Sequence, residues 1–332
     1  MGVKNKGMLF LGLDTSAYTT AAALVDQSEH LVWEKRELLS VPEGGLGLRQ
    51  SEAVFAHLQN LPRLWAEGAA ALKSAPLAAV AASTRPRPAE GSYMPVFKVS
   101  EAFGKFIAQT MDLCFFSSTH QDGHLTAGLW SVGLPLGRTL VAHLSGGTTE
   151  ILEAEETAPG TLDIQRLGGS ADLNAGQFID RIGVAMELSF PAGPQLERLA
   201  HGAQTGGVDL PLAVKGAVIS FSGPESQARR LLQEGCPRAD LARAVERCIA
   251  DSLSLALASA VKRSSFQAVL VVGGVAANAF IRARLQEKLT GVLPGLKLFF
   301  AAAPYCSDSA VGVAVQAARR YRGQDTGYRI QD

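Results

Sequence analysis

The residues best suited to chemistry are two histidines, His120 and His124, in the segment 117–130. Ser118 or Thr119 suits the N-cap of a helix, and an apolar-rich run follows. Residues four apart on a helix share one face, so both imidazoles would point the same way. Such a pair is half of a site for a divalent transition metal. Histidines that only form surface hydrogen bonds can have the same spacing, so the pair alone leaves both readings open.

A third ligand is available at Asp308, between a predicted strand at 298–302 and a predicted helix from about 309 to 320. With His120 and His124 it would complete a set of two histidines and one carboxylate, with coordination positions left open. A single aspartate before a helix is also a common N-cap. Sequence spacing does not decide between the two roles.

Two short turns are rich in groups that could hold an anion. Residues 14–20 connect two apolar strands and contain one carboxylate and several hydroxyls, and residues 145–149 do the same with two glycines and two threonines. Gly146 and Gly147 would allow a ligand close to the backbone. Each turn stands near the start of about half of the chain, which predicts duplicated lobes. An ordinary hairpin turn remains the simpler reading of each.

A third candidate turn follows the apolar strand at 269–272. Gly273 and Gly274 end this strand, and a helix begins at about Asn278. A glycine turn leading to a helix N-terminus suits a phosphate or an adenosine. The pattern is neither that of a dinucleotide-binding strand-turn-helix nor that of a P-loop. Many α/β proteins have such a turn without a ligand.

The elements that must position these residues alternate between strands and helices, as in an α/β protein. Helical spacing covers 51–72, with Pro62 as an expected kink or break, and a second long helix covers 240–263. A buried strand is predicted at 77–82. The prolines in 83–88 exclude regular structure there.

Composition favours a well-packed protein of two domains. The chain has 332 residues, 47% of them hydrophobic, and equal numbers of basic and acidic residues, 31 each. No overall charge therefore draws it to nucleic acid or to a membrane surface, although a local basic patch is compatible with this balance. No apolar run has the length needed to span a bilayer. The four cysteines are isolated, so a reducing cytoplasm is the expected location.

Taken together, the motifs resemble those of the TsaD-type tRNA threonylcarbamoyladenosine synthase family, also called the glycoprotease or O-sialoglycoprotein endopeptidase family. The resemblance covers roughly residues 8–322. Its landmarks are Asp14-Thr15-Ser16, His120-Gln121-Asp122-Gly123-His124, Leu144-Ser145-Gly146-Gly147, Asp180, Pro191-Ala192-Gly193-Pro194, Ser220-Phe221-Ser222-Gly223, Gly273-Gly274-Val275-Ala276-Ala277-Asn278 and Cys306-Ser307-Asp308.

The resemblance implies the fold of the actin, sugar kinase and Hsp70 ATPase superfamily, with two duplicated α/β lobes around a nucleotide-binding cleft. One lobe would be 8–136, with 306–322 packing back on it, and the other 137–305. One divalent metal ion, Fe or Zn, would be bound by His120, His124 and Asp308. An adenine nucleotide or acyl-adenylate would contact Asp14, Ser16, Leu144, Ser145, Gly146, Gly147, Thr148, Asp180, Gly193, Glu197, Gly273, Gly274 and Asn278.

The implied reaction is transfer of a threonylcarbamoyl group from its adenylate to the exocyclic amine of adenosine in tRNA. Partner proteins of the threonylcarbamoylation system would supply the adenylate, and no membrane is involved. The old protease name has no support, because neither a Ser-His-Asp order nor a His-Glu-x-x-His motif is present. No catalytic residue is assigned, since an amine can attack a mixed anhydride without a nucleophilic side chain.

The chain departs from the family pattern at several places. These are Ala17-Tyr18-Thr19 instead of Cys-Asp-Glu, Thr148 instead of His, Gly176-Gln177 instead of Gly-Glu, Ser222-Gly223-Pro224-Glu225 instead of Ser-Gly-Leu-Lys, Arg85-Pro86-Arg87 instead of Gly-Pro-Gly, and Ser307-Asp308-Ser309 instead of Thr-Asp-Asn. The alternatives are a divergent carbamoyltransferase or ATPase that binds metal and nucleotide but uses another acceptor, and a non-catalytic assembly subunit. For RNA, the candidate contacts are Arg85, Arg87, Arg229, Arg230, Arg282 and Arg284.

Overall fold

The computed structural model describes residues 7–40, 48–134, 137–204, 207–263, 266, 268–306 and 308–325. The chain forms two compact units. Unit 1 consists of Met1–Pro135, Glu156–Asp163 and Asp308–Asp332, and unit 2 of Leu136–Glu155 and Ile164–Ser307. Residue 136, where the first lobe was predicted to end, and Ser307 of the last motif lie outside the described residues.

The described strands and helices follow one another in a largely alternating order. The strands are β1 (Leu9–Thr15), β2 (Thr19–Asp26), β3 (Leu31–Leu38), β4 (Leu77–Arg85), β5 (Cys114–Thr119), β6 (Thr139–Leu144), β7 (Thr149–Ala158), β8 (Thr161–Ser170), β9 (Val214–Lys215), β10 (Val218–Ile219), β11 (Ala268–Val272) and β12 (Lys297–Phe300). The α-helices are α1 (Gln50–Gly68), α2 (Phe97–Thr110), α3 (His120–Ser131), α4 (Ala175–Ala185), α5 (Gly193–Ala200), α6 (Ser222–Gln233), α7 (Arg238–Arg263), α8 (Ala279–Val292) and α9 (Val311–Asp325).

The two sheets repeat one strand order. The sheet of unit 1 runs β3-β2-β1-β4-β5, and the second sheet contains β8-β7-β6-β11-β12 with β10 and β9 added beyond β8. In each, an antiparallel hairpin is joined by parallel strands: β4 lies beside β1, and β11 lies beside β6. The duplication predicted from the two hairpins is thus confirmed.

Two local features differ from the sequence predictions. Of the kink or break expected at Pro62, the break is absent, because α1 continues to Gly68 with Leu61 and Leu64 each 1% exposed. Proline removes one backbone donor, and burial of the apolar face holds the helix across that position. The segment 83–88 is also not irregular throughout, since β4 extends to Arg85 and pairs with β5. A residue before a proline favours extended backbone, so the strand ends only at the proline itself.

Close backbone packing fixes α9 within unit 1. A Cβ added to Gly12 of β1 would stand 2.3 Å from the backbone nitrogen of Ala314. A Cβ added to Gly312 would stand 2.0 Å from the carbonyl oxygen of Gly123 in α3. Only glycine fits at such approaches. The strand and the two helices that lead to the candidate metal ligands are therefore in direct backbone contact.

The core of unit 2 is built on α7, which the sequence predicted as the helix 240–263. Its buried positions include Leu241, Val245, Ile249, Leu253 and Leu257, each 0% exposed. Intervening positions such as Ala242 and Ala250 are buried too, so α7 is enclosed on more than one face. Among the described helices, none has the length and apolar character needed to cross a bilayer.

Candidate metal centre and glycine turns

The three predicted metal ligands lie together in unit 1. His120 and His124 lie in the first turns of α3, and Thr119 caps that helix by accepting a hydrogen bond from the Asp122 amide. Asp308 reaches them from the residues just before α9. The Nε2 atoms of the two histidines are 3.2 Å apart, and Asp308 Oδ1 is 3.0 Å from the Nε2 of His124 and 3.5 Å from that of His120.

These separations fit a small divalent ion. Ligand atoms at about 2.0–2.1 Å from a zinc-sized ion, at tetrahedral or octahedral angles, stand about 2.8–3.4 Å from one another. Two imidazole nitrogens that face each other also need a proton or a metal ion between them, since their lone pairs repel. A set of two histidines and one carboxylate suits Fe or Zn and leaves positions for other ligands.

Further hydrogen bonds orient two of the three ligands. Both carboxylate oxygens of Asp14 accept from Nδ1 of His120, at 3.0 and 3.1 Å, which orients the ring so that Nε2 faces His124 and Asp308. The hydroxyl of Ser16 donates to Oδ2 of Asp308. Carboxylates and hydroxyls behind the ligands are the usual supports of a metal site. Asp14 and Ser16, predicted as nucleotide contacts, are 1% and 2% exposed and face the metal ligands.

The electrostatics of this cluster favour positive charge. Burial works against a charged imidazole at His120, but the carboxylates of Asp14 and Asp308 outweigh it and raise the pKa of His120 well above its ordinary value. At Asp308 burial is again outweighed, here by the two histidines, and the pKa of this carboxyl falls well below its usual range. The groups that stabilise a proton on His120 would also stabilise a divalent cation at Nε2.

Sequence reasoning missed His57, a buried histidine of α1. Its Nε2 lies 2.8 Å from the carbonyl oxygen of Ser16, and its Nδ1 lies 2.8 Å from Oγ1 of Thr20. A carbonyl can only accept, so Nε2 carries the proton and Nδ1 accepts from the hydroxyl. Burial lowers the pKa of His57, in agreement with a neutral ring. The helical spacing of α1 gave no signal beyond a core position.

Unit 2 carries the predicted glycine turns at one edge of its sheet. The turn between β6 and β7 closes with a hydrogen bond from the Ser145 amide to the Thr148 carbonyl, and Gly146 and Gly147 are exposed. A Cβ on either glycine would meet nothing within 4 Å. Gly273 ends β11 with a φ of 100°, and a Cβ there would stand 2.1 Å from the carbonyl oxygen of Leu144. Because β6 and β11 are parallel neighbours, the two turns adjoin.

Other predicted nucleotide contacts have partners inside unit 2. Oδ1 of Asp180 accepts from the Ala192 amide, next to Gly193, and burial raises the pKa of Asp180. An oxygen of Glu197 accepts from the Ala279 amide at 2.7 Å. Gly274 is exposed beside its turn.

Asn278 is the N-cap of α8, and both ends of its amide are engaged. Its Oδ1 accepts from the Ile281 amide, and its Nδ2 donates to Glu246 at 2.6 Å. Glu246 lies on α7, is 0% exposed, and also accepts from Arg243 at 2.7 Å. Burial raises the pKa of Glu246 to about 7, against the effects of Asn278 and Arg243. The apolar pattern of α7 hid this carboxylate, as that of α1 hid His57.

Several departures from the family pattern have local partners. Glu225 is 7% exposed and accepts from Arg229, so the lost cation is replaced by an internal ion pair. Gln177 forms a capping box with Asn174 at the start of α4. Of the arginines proposed for RNA, Arg284 pairs with Asp251, and Arg282 donates to the carbonyl oxygen of Ala301. Arg85 and Arg87 are exposed.

Two open cavities lie apart from these residues. One, of about 560 Å³ in unit 1, is lined by Glu156, Arg319 and Arg322 among others. The other, of about 540 Å³ in unit 2, includes Asp209 and Arg247. The arginines there are paired with carboxylates: Arg319 and Arg322 with Glu29, Arg247 with Asp209 and Arg284 with Asp251. Apart from Arg284, neither lining contains a predicted site residue.

Solved structures define the class of fold. HypF from T. kodakarensis aligns with a TM-score of 0.63 at 14% identity, covering 96% of this chain and 48% of that one. The ADPNP-bound activator of 2-hydroxyisocaproyl-CoA dehydratase from Clostridium difficile aligns with 0.55 at 16% identity, over 98% and 100%. A ROK family glucokinase from Streptomyces griseus aligns with 0.51 at 14%, over 93% and 99%. The fold is that of the actin, sugar kinase and Hsp70 ATPase superfamily, as predicted.

Within this class the chain belongs to the TsaD family, whose model, described as tRNA N6-adenosine threonylcarbamoyltransferase, matches residues 37–315. A relative of that name from Thermus thermophilus is 31% identical over 323 residues, covering 95% of this chain and 94% of the relative. One from Prochlorococcus marinus is 32% identical over 294 residues, covering 83% and 79%. One from Gluconobacter oxydans is 31% identical over 341 residues, covering 96% and 90%. The family predicted from the motifs is confirmed.

Proposed function

We propose that the protein transfers a threonylcarbamoyl group from its adenylate to the exocyclic amine of adenosine in tRNA, with the help of one divalent metal ion, Fe or Zn. The observation that carries the proposal is the convergence of His120, His124 and Asp308 in a chain of the TsaD family. The protein is an acyltransferase, as its relatives are, and not a protease. Partner proteins would form the adenylate.

This reaction requires correct orientation of the amine and the carbonyl more than it requires a nucleophilic side chain. The amine nitrogen attacks the carbamoyl carbonyl carbon, the bond from that carbon to the phosphate oxygen breaks, AMP leaves, and the amine loses a proton. A metal ion with open positions would supply a Lewis acid for a carbonyl or phosphate oxygen. His120, His124 and Asp308 would hold it, and Asp14 would hold the imidazole of His120 in the tautomer that leaves Nε2 unprotonated.

The backbone of unit 2 would hold the nucleotide part. The exposed turn at Gly146 and Gly147 offers backbone amides without side chains in the way. Gly274, which is exposed and has open space around it, would add a second stretch of backbone that a ligand can approach. A preorganised set of amides stabilises charge on the leaving phosphate without reorganisation during the reaction.

Complementation tests this proposal. A bacterial strain depleted of its own threonylcarbamoyl transferase would express this chain, and the modified adenosine in hydrolysed tRNA would be measured by mass spectrometry. We expect the wild-type chain to restore the nucleoside and His120→Ala to abolish it. His30→Ala is the matched control, because His30 is an exposed histidine paired with Asp26, away from the metal ligands. A wild-type chain that is well expressed beside its partners and restores nothing would contradict the proposal.

A second candidate is a paralogue that binds metal and nucleotide but uses another acceptor. The observation that favours it is the β1–β2 turn, where Ala17 and Tyr18 stand in place of groups that the family pattern provides, Tyr18 being 38% exposed. Metal-dependent ATP turnover by the purified chain without tRNA, together with failed complementation, would support this candidate. Bound metal and nucleotide without any turnover would instead identify an assembly subunit.

A further inference from the structure

We propose that His57 is a positioning residue for the metal centre. From α1 it fixes the β1–β2 turn, and residues in and next to this turn hold Asp308 and His120. This inference rests on the proposed function, because the centre is the one assigned there. His57 itself touches none of the three metal ligands in its described hydrogen bonds. It acts through Ser16 and Thr20.

The position of His57 in α1 is one where an apolar residue would be expected. It falls in the buried stripe with Ala53, Leu61 and Leu64, all between 0% and 1% exposed. A polar ring without partners there would cost free energy, so its two nitrogens must be hydrogen-bonded. Both partners belong to the one hairpin, Ser16 in the turn and Thr20 at the start of β2. Both ring nitrogens of His57 therefore form their hydrogen bonds with this hairpin.

The contacts of Ser16 link His57 to a metal ligand. Its carbonyl oxygen accepts from His57 at 2.8 Å, its amide donates to the carbonyl of Thr19 at 3.1 Å, and its hydroxyl donates to Asp308. All three polar groups of this residue are therefore committed. The carbonyl bound by His57 and the hydroxyl bound to Asp308 belong to the same residue, so a shift of the backbone at Ser16 would move both.

The other nitrogen of His57 fixes the opposite side of the turn. Its Nδ1 accepts a hydrogen bond from the hydroxyl of Thr20, and the same hydroxyl oxygen accepts one from Asn60 of α1 at 3.3 Å. Thr20 pairs with Thr15 in the hairpin register, next to Asp14, the partner of His120. One imidazole thus spans the turn that supports two of the three ligands. Groups that hydrogen-bond a metal ligand directly commonly change metal affinity by about 10- to 100-fold, and His57 acts one residue further out.

Cobalt binding tests the inference with the full-length chain. Wild type, His57→Leu, His57→Gln and Leu61→Ala would be stripped of metal and titrated with Co²⁺, whose visible absorption reports ligand geometry. Leu61→Ala is the matched control, because it removes buried packing from the same helix without a hydrogen bond to the turn. Thermal unfolding of each variant is recorded in parallel.

We expect His57→Leu to weaken Co²⁺ binding by up to about tenfold, because it acts through Ser16 and Thr20, and to alter the absorption bands. His57→Gln, whose amide can still donate to the Ser16 carbonyl, should recover most of the affinity. Leu61→Ala should lower the unfolding temperature and leave Co²⁺ affinity and spectrum unchanged. Should His57→Leu not fold, Thr20→Val interrupts the same chain with little change in shape and should weaken binding in the same direction.

Two outcomes overturn the inference alone: wild-type affinity and spectrum in His57→Leu or Thr20→Val, or an equal loss of affinity in Leu61→Ala. The first shows that the turn needs no hydrogen bond from α1, and the second that any loosening of the helix has the same effect. A wild-type chain that binds no Co²⁺, Zn²⁺ or Fe²⁺ overturns the metal centre itself and with it the role of His57. The failures are therefore distinguishable.

Discussion

The two units use the same strand order but place different chemistry at the same turn. In unit 1, Asp14 near the end of β1 and Ser16 in the turn between β1 and β2 have buried side chains that point at the candidate metal ligands. In unit 2 the equivalent turn between β6 and β7 presents Gly146 and Gly147, exposed and without side chains. Under the proposed function, the first turn would support a cation, and the second would offer a backbone surface to an anion.

The comparison indicates that two copies of one strand arrangement can carry different chemistry at the same turn. In both copies, a strand parallel to the first strand of the hairpin ends at the same edge of the sheet as the hairpin turn. What differs is whether the turn residues carry charge. Each turn can therefore be altered separately, and we expect metal binding and nucleotide binding to change separately.

The largest effect is expected from Asp308→Ala. Two histidines alone are only half of a site, so bound metal should be lost, and Ser16 also loses its acceptor. Elemental analysis after dialysis measures the metal, and calorimetric titration with ATP measures nucleotide binding. ATP affinity should remain that of the wild type. Full metal occupancy in this variant would remove Asp308 from the ligand set.

Gly147→Val should weaken ATP binding and leave metal binding intact, the reverse of Asp308→Ala. A Cβ there meets nothing within 4 Å, so the fold should tolerate it within about 0.5 kcal/mol, as for most surface substitutions. The added side chain would block a phosphate from the backbone, and ATP affinity should fall at least tenfold, by about 1.4 kcal/mol or more. Metal content should be unchanged. Gly291→Val is the control, because Gly291 has equally open space on α8. Equal ATP affinity in both variants would refute a phosphate site at this turn.

Asp14→Asn tests the support of His120 by charge alone. The amide keeps the size of the side chain and can still accept from Nδ1, but the negative charge is gone. Zinc affinity should fall by about tenfold, at the lower end of the range for outer ligands. Competition with a colorimetric chelator measures it, and Glu90→Gln, at an exposed position, controls for charge. Unchanged affinity would mean that orientation alone matters.

The smallest effect concerns pH and the buried carboxylate of unit 2. The pKa of Glu246 is raised from 4.5 to about 7, so the folded state keeps its proton while the unfolded state loses it. Stability should therefore fall as pH rises from about 4.5 to about 7 and level off above that range. Glu246→Gln should remove this part of the slope, a change of a few degrees in unfolding temperature. Unfolding curves of both proteins at matched pH values measure it, and parallel slopes would contradict the raised pKa.

Much of the candidate site could be predicted because its cues are local. The cap at Thr119, the shared face of His120 and His124, and the glycine ends of strands all follow from spacing and residue type. The meeting of His124 with Asp308 could only be proposed, since 184 residues separate them in the chain. Their proximity depends on α9 packing against α3.

The residues that were missed share one cause. His57 and Glu246 both occupy positions that the helical pattern assigns to the core, and in the structure both are buried. Periodicity predicts that such a side chain is buried, but it does not predict which polar group will form a hydrogen bond with it. Those partners, Ser16 and Asn278, come from distant parts of the sequence.

Gly12 and Gly312 have a consequence for how this protein can evolve. Neither carries a functional group, yet each holds two backbones at a distance that any side chain would prevent. In a saturation mutagenesis experiment they should tolerate as few replacements as the histidines, because a methyl group would separate the segments that bring the ligands together. Conservation of the candidate metal centre in evolution should therefore require these two glycines as well as the three ligands.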